Sequence, residues 1–327
     1  MKRLLKSHIK EERGFALLLT ILIISLIVPF TLQFNTSMRA EMYGAANMKD
    51  GVQLDHIARS GFHVALAVLY EDALETKFDS LQEYWADPLT FSSASQFDEG
   101  RFEVRVKDQS GKIHINKLVD TKGKVNQKHR ELLERFFSAD EFDLEPEDVG
   151  DILDAMTDWI DPDNEVTKFG AEDSYYQALE KPYACKNGPM EFLDELLLVK
   201  GITRELFYGE EGRPGISSYL TTHGQGLINT NTADPLILKT LSQHMDQEIV
   251  EEMVSYRENE DNDLSKPEWY KKVQGMSSEV KIGDLIATSS NFFEINSVGL
   301  KGAMNKSVIS LVERKEGGLK VVSWSVE

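Results

Sequence analysis

From Phe15 to Leu32 the chain runs through 18 residues without a charge. At about 1.5 Å of rise per residue, a helix of that length just crosses the hydrocarbon core of a bilayer. The helical pattern continues beyond it. Leu54, Ile57, Ala58, Gly61, Phe62, Ala65, Leu66, Leu69 and Ala73 recur at spacings of three and four, which places them on one helix face. The spacing predicts one long helix from about Phe15 to Leu74, its first half in lipid and its second half packed on a domain. Gly44 and Gly51 weaken such a helix by about 1 kcal/mol each relative to Ala. Pro29 is the place for a kink, because it removes one backbone hydrogen bond and crowds the preceding turn.

The period then changes. Phe102, Val104 and Val106 alternate with Glu103, Arg105 and Lys107; Asp108-Gln-Ser-Gly111 reads as a turn, and Ile113 and Ile115 flank His114. This pattern predicts a β-hairpin with one buried face. Period two returns only near the end, at Phe292–Ile295, Val308–Val312 and Leu319–Val326. Between the two β regions the pattern predicts helices at Lys128–Ser138, Pro146–Ile160, Pro189–Val199, Pro235–Gln243, Gln247–Arg257 and Ile282–Ala287. The expected fold is α+β. A long N-terminal helix (15–78, with 15–32 transmembrane) and a small α/β domain with an antiparallel sheet (79–125 and 288–327) carry a large inserted α-helical domain (126–287).

Ahead of the apolar run, Lys2, Arg3, Lys6, Lys10 and Arg13 outweigh Glu11 and Glu12, so this flank stays cytoplasmic and the rest crosses the membrane. Gln33-Phe34-Asn35-Thr36 after the run is a poor secretory cleavage site, and Gly44-Ala45-Ala46 is a weak one. The conspicuous small residue is Gly14, at the border between basic leader and apolar run. A plain signal anchor and a leader cleaved at Gly14 both fit this stretch.

Charge narrows the class. The 327 residues carry a formal charge of −19, and residues 1–14 hold five basic and two acidic side chains, leaving −22 on the remainder. So acidic a surface argues against nucleic-acid binding, which needs clustered Lys and Arg. It suits a solvated extracytoplasmic domain, or one that collects divalent cations. The single cysteine, Cys185, permits no internal disulfide and reads as a small buried hydrophobe. The seven His form no His-x-x-x-His pair, and neither Gly-x-Ser-x-Gly nor a Walker loop occurs, so no enzyme class is indicated.

The densest carboxylates lie in Asp154-Ala-Met-Thr-Asp158-Trp-Ile-Asp161-Pro-Asp163-Asn164-Glu165, followed by Gly170-Ala-Glu172-Asp173. Oxygen ligands at alternate loop positions suit Ca²⁺, which takes six to eight oxygens in a flexible shell. Counted from Asp161, Asp163 stands third, Glu165 fifth and Glu172 twelfth, as in an EF-hand loop; Val166 occupies the sixth place, where that loop needs glycine. The candidate ligands are Asp158, Asp161, Asp163, Asn164, Glu165, Glu172 and Asp173, and a solvated acidic loop is the competing reading. Asp261-Asn262-Asp263 is a smaller second cluster. Leu196–Ile202 and Ile228–Leu238 look like helix-hairpin-helix fragments. Their acidic surroundings would repel phosphate, so they read as packing hairpins, with Asn231, Thr232 and Asp234 offering helix caps.

Taken together, Arg13-Gly14-Phe15-Ala-Leu-Leu18, Asp108-Gln-Ser-Gly-Lys-Ile113 with Asn116, Thr157-Asp-Trp-Ile-Asp-Pro-Asp163, Gly170-Ala-Glu-Asp-Ser-Tyr-Tyr176, Asp194-Glu-Leu-Leu-Leu-Val-Lys-Gly201 and Ile228-Asn-Thr-Asn-Thr-Ala233 resemble the minor pseudopilin K family of type II secretion systems, in order and over nearly the whole chain. The resemblance implies a pilin-like fold with a helix-hairpin-helix or SAM-like helical insert. It also implies a leader (1–14) removed by prepilin peptidase after Gly14, methylation of the new amino terminus at Phe15, and structural Ca²⁺ in the loop 158–173. Implied partners are minor pseudopilins I and J and the inner-membrane assembly platform, with secreted substrates or the outer-membrane secretin as further contacts. The implied place is the bacterial inner membrane, amino terminus cytoplasmic and globular part periplasmic, at the tip of the pseudopilus. Most pilin-type subunits carry a glutamate five residues into the mature helix, where it pairs with a neighbour's terminal amine; here that position is Leu19. A subunit without it leaves such an amine unpaired in an apolar core, at a cost of several kcal/mol, which favours the tip position. The readings from other classes are a signal-anchored periplasmic calcium-binding or adhesion protein and a membrane-anchored hydrolase that uses the paired carboxylates of the acidic loop.

Overall fold

The structure, a computed structural model, describes the backbone of residues 2–91, 97 and 99–327, and side chains from residue 14 onward. The basic side chains Lys2, Arg3, Lys6, Lys10 and Arg13 thus lie outside the described ones.

Helix α1 spans Lys2–Glu75, 74 residues, roughly 110 Å at the usual rise. It has two halves of different character. Every side chain from Gly14 to Lys49 is exposed, whereas Leu54, Ile57, Ala58, Phe62, Ala65 and Leu69 are buried, at the spacing read from the sequence. The helix runs unbroken through Pro29. The hydroxyls of Thr20, Ser25 and Thr31 bond back to carbonyls one turn earlier, which satisfies polar groups within the apolar stretch.

The buried half of α1 lies on a four-stranded antiparallel sheet of β1 (Arg101–Asp108), β2 (Phe292–Lys301), β3 (Met304–Lys315) and β4 (Gly318–Val326), in that spatial order. Phe62, Trp85, Phe91, Phe102, Val104, Phe293, Ile295, Val308 and Val312 fill the layer between helix and sheet. Two glycines let the layers close. A Cβ on Gly299 would stand 2.5 Å from the Leu54 carbonyl oxygen, and one on Gly61 would stand 2.3 Å from Ser297 Oγ. That hydroxyl donates to the Ala58 carbonyl at 2.7 Å, joining sheet to helix.

The expected hairpin at 102–115 does not form. β1 pairs along its length with β2, from Arg101↔Leu300 to Asp108↔Phe293, while Ile113–His114 pairs in parallel with Leu220–Thr221. Ile113, His114 and Ile115 are all buried, so the alternation across His114 marks no solvent face. Eight sequence-distant pairs with an apolar strand outweigh the local turn, and the chain leaves the sheet after Asp108.

The second core is helical and separate. Helices α2 (Gln127–Phe137), α3 (Pro146–Ile160), α4 (Asp173–Tyr176), α5 (Arg204–Tyr208), α6 (Pro235–Thr240) and α7 (Gln247–Glu258) surround it. Local chemistry starts them: Asn126, Thr203, Asp234 and Asp246 accept backbone N–H groups as N-caps, and proline opens α3 and α6. Ile113, Ile115, Leu118 and Val119, ahead of the expected insert boundary at 126, also pack in this core. Two expected helices are absent among the described residues. Pro189–Val199 gives only a 3₁₀ segment, Leu193–Leu198. In place of a helix over 282–287, Ile286–Ala287 pairs with Ile228–Asn229, and the Leu285 and Ala287 carbonyls are taken by the Ile228 and Thr230 amides rather than by a helical turn.

Candidate metal centre and membrane helix

Helix α3 presents Asp154 and Asp158 on one face, a turn apart, and Asp161 caps its end. The two helix carboxylates are spent on the protein itself. Asp154 pairs with Arg130 at 2.7 Å, and Asp158 accepts the Thr167 amide at 3.0 Å. The loop 161–172 is thereby folded back onto α3. Gly170 makes this possible, since a Cβ there would come within 2.1 Å of Asp158 Oδ2 and 2.9 Å of the Asp154 carbonyl oxygen. Lys168 takes a left-handed backbone, φ 40°, and the Lys200 ammonium holds the Phe169 carbonyl at 2.7 Å.

This turn brings together Asp161, Asp163 and Glu172, one carboxylate oxygen of each lying within 4.8 Å of the others. Asp161 is 5% and Glu172 2% exposed. Asp161 Oδ1 and both Glu172 oxygens are buried without a hydrogen-bond partner. Buried, unpartnered carboxylate oxygens are costly. Burial, then the charges of Asp158 and Asp161, pushes Glu172 up to about 7; burial, then Asp163 and Asp158, pushes Asp161 up to about 6.

The group fits a hard divalent cation. Oxygens on opposite sides of a Ca²⁺ shell stand about 4.8 Å apart, given Ca–O distances of about 2.4 Å. Asp161 and Asp163 approach from the end of α3 and Glu172 from the start of α4, so an ion would tie the loop's two ends together. Asp163 is itself exposed and accepts the Glu165 amide at 2.8 Å, and the other predicted ligands likewise make bonds within the protein or stand in solvent. Asp158 stands beside the group but is taken by amides. Asn164 Oδ1 accepts the Asn187 amide at 3.1 Å, Asp173 accepts the Cys185 backbone N–H at 3.1 Å, and Glu165 is exposed. Cys185 lies by Glu172, and its thiol is pushed up to about 12, chiefly by burial; it stays protonated and supplies no thiolate ligand.

Two other acidic clusters differ. Asp72, Asp79 and Glu83 are equally close, but Arg314 bonds Asp72 at 2.9 Å and Asp79 at 2.5 Å, and Glu83 accepts from Thr76, Ser80 and Trp85. A guanidinium already does a metal's work there, a group that the sequence alone did not reveal. Asp263 accepts the Ser265 amide and hydroxyl, so the 261–263 cluster builds a turn. Of the helix-hairpin-helix cap candidates, Asp234 caps α6 through the Leu236 amide, whereas Asn231 and Thr232 bond across to the sheet side.

Gly14, Phe15 and Leu19 lie in the exposed, apolar part of α1. From Gly14 on, this helix is long and apolar enough to cross a membrane, and none of its apolar window is buried.

Residues 111–208 match the family described as Type II secretion system (T2SS), protein K. Type II secretion system protein K of Pseudomonas aeruginosa is 25% identical over 324 residues, covering 96% of this chain and 92% of that protein. The namesake from Aeromonas hydrophila is 27% identical over 206 residues, and the chain spans 61% of that relative's length. The fold is similar to a chain in the crystal structure of the GspK-GspI-GspJ complex from the enterotoxigenic Escherichia coli type 2 secretion system. The TM-score is 0.68 at 18% identity, covering 86% of this chain and 99% of that one. The family resemblance carried by the sequence motifs is thus borne out, as is the mixed α+β fold.

Proposed function

We propose that this chain is a K-type minor pseudopilin of a type II secretion system, a non-enzymatic subunit anchored in the inner membrane with its globular part in the periplasm. The observation that carries this reading is a likeness of 96% coverage to a protein K, joined to a membrane-length helix continuous with a packed sheet. Processing after Gly14 would leave Phe15 as the methylated amino terminus of that helix.

Minor pseudopilins I and J are the expected partners, by analogy with the complex that the structural relative forms. The tip position follows from two features. Leu19 offers no carboxylate to the amine of a subunit above it, and the helical insert obstructs stacking over the sheet. Ca²⁺ at Asp161, Asp163 and Glu172 would neutralise three converging carboxylates and fix the loop; its role is structural.

Incubation with prepilin peptidase tests the assignment. Loss of residues 1–14 and co-purification of the processed chain with minor pseudopilins I and J are expected. An intact amino terminus with no such association would instead fit a signal-anchored periplasmic binding protein.

A further inference from the structure

The two hydrophobic cores share no buried residue, and the chain passes between them through a polar junction. One crossing leaves the sheet at the end of β1, Asp108–Lys112; the returning one, Thr288–Asn291, leads into β2. Asp79, beyond the end of α1, joins the same junction, its N–H donating to the Thr288 carbonyl at 2.7 Å.

Asp108 sits where these paths meet. Its Oδ2 accepts the Ser290 hydroxyl at 2.5 Å, the Thr232 hydroxyl at 2.5 Å and the Asn229 amide at 3.2 Å; its Oδ1 accepts the Ser110 amide at 2.7 Å. One carboxylate thereby binds the outgoing crossing, the returning crossing and the 229–232 turn of the insert. Asn229 and Asn231 also donate to the Asp79 carbonyl at 3.0 and 3.1 Å. Asn231 is in turn fixed by the Trp269 indole N–H at 2.7 Å. The outgoing crossing is pressed on that turn: a Cβ on Gly111 would stand 2.7 Å from Thr232 Oγ1.

An apolar contact would hold two bodies together with little preference for angle. A fully partnered buried carboxylate has directional bonds, and any rotation strands its donors in a dry site. We propose that Asp108 is the pin of an orientational lock, which holds the helical insert at one angle over the helix–sheet body and, when broken, lets it pivot while both cores stay folded. The inference stands on this geometry and is independent of the secretion assignment.

Distance measurements between two spin labels test it on the full chain in detergent micelles. Glu211→Cys in the insert and Lys320→Cys on β4, both exposed, carry the labels in a Cys185→Ser background. The parent should give one narrow distance. Asp108→Ala should lose it for a broad distribution, while hydrogen exchange still protects Leu133 in one core and Phe293 in the other. The Ser290→Ala/Thr232→Ala double variant, which keeps the carboxylate and removes its two shortest donors, should broaden the distance in the same way. A distance as narrow as the parent's in the double variant overturns the proposal, as does broadening only together with lost core protection. If Asp108→Ala fails to fold, the double variant decides.

Discussion

Glu172 combines near-complete burial with carboxylate oxygens that have no close hydrogen bond, the Asp173 amide and the Cys185 thiol being their nearest donors. Its folded-state pKa is raised to about 7, above the ordinary glutamate value. Without a divalent cation the folded chain therefore holds a proton that the unfolded chain has released. Stability contributed by that proton is present in acid and is lost as pH rises toward and through about 7. Ca²⁺ binding has the opposite dependence, because it needs the ionised carboxylates. Thermal melts should accordingly show a Tm that falls between pH 5 and pH 8 in EDTA, and a stabilisation by Ca²⁺ that grows over the same range. With Ca²⁺ at about 100 times its Kd, the gain is about 2.7 kcal/mol, or roughly 5–10 °C for a domain of this size. Glu172→Gln should lessen the EDTA slope, Asp161 and Asp72 carrying the remainder because their carboxyls are also raised, to about 6 and about 7, and should remove most of the Ca²⁺ gain; a gain that survived would place the ion elsewhere. Asp161→Ala with Asp163→Ala should also abolish it, whereas Glu165→Ala should leave it intact.

At the scale of elements, α1 and the sheet meet where side chains are missing. Gly299 lies beneath the Leu54 carbonyl, a backbone atom that cannot swing aside. Gly299→Val should force α1 off β2 and cost on the order of 2–3 kcal/mol through overpacking, read as a lower urea midpoint. Phe62→Ala should cost about 3–5 kcal/mol by opening a cavity beside Trp324 in the layer between helix and sheet. Elements with a strong period of their own were legible in sequence. α3 begins and ends where predicted, because proline opens it and its apolar face is regular; β2 to β4 announce themselves by alternation. The hairpin at 102–115 misled because Asp108-Gln-Ser-Gly111 has turn composition, yet its aspartate is consumed by Ser290, Thr232 and Asn229, all more than a hundred residues away. No local window contains those partners.

Across the whole molecule, the candidate cation group lies between α3 and α4 of the insert and is remote in sequence from the sheet. Calcium removal should consequently loosen one body more than the other. Hydrogen exchange in EDTA should rise over residues 154–200 and leave the amides of β2 and β3 at their Ca²⁺-loaded protection. Equal loss in both bodies would mean that the two cores unfold as one unit. The same division suits the proposed role: a stem that packs in a filament and a braced head that does not.

Amphipathic spacing, an uncharged run of bilayer length and a carboxylate-rich loop are local properties, so the amino-acid order alone determined the long helix, the α+β class, the insert and the region of the candidate metal centre. Which three carboxylates converge depended on Gly170 bringing the loop back onto α3, with Asp158 spent on an amide there. That the 72–83 cluster is closed by Arg314, and that Asp108 joins the two bodies, was decided only by tertiary structure. The bonds involved link residues 121 to 242 positions apart, and a buried polar group takes its meaning from what surrounds it in space.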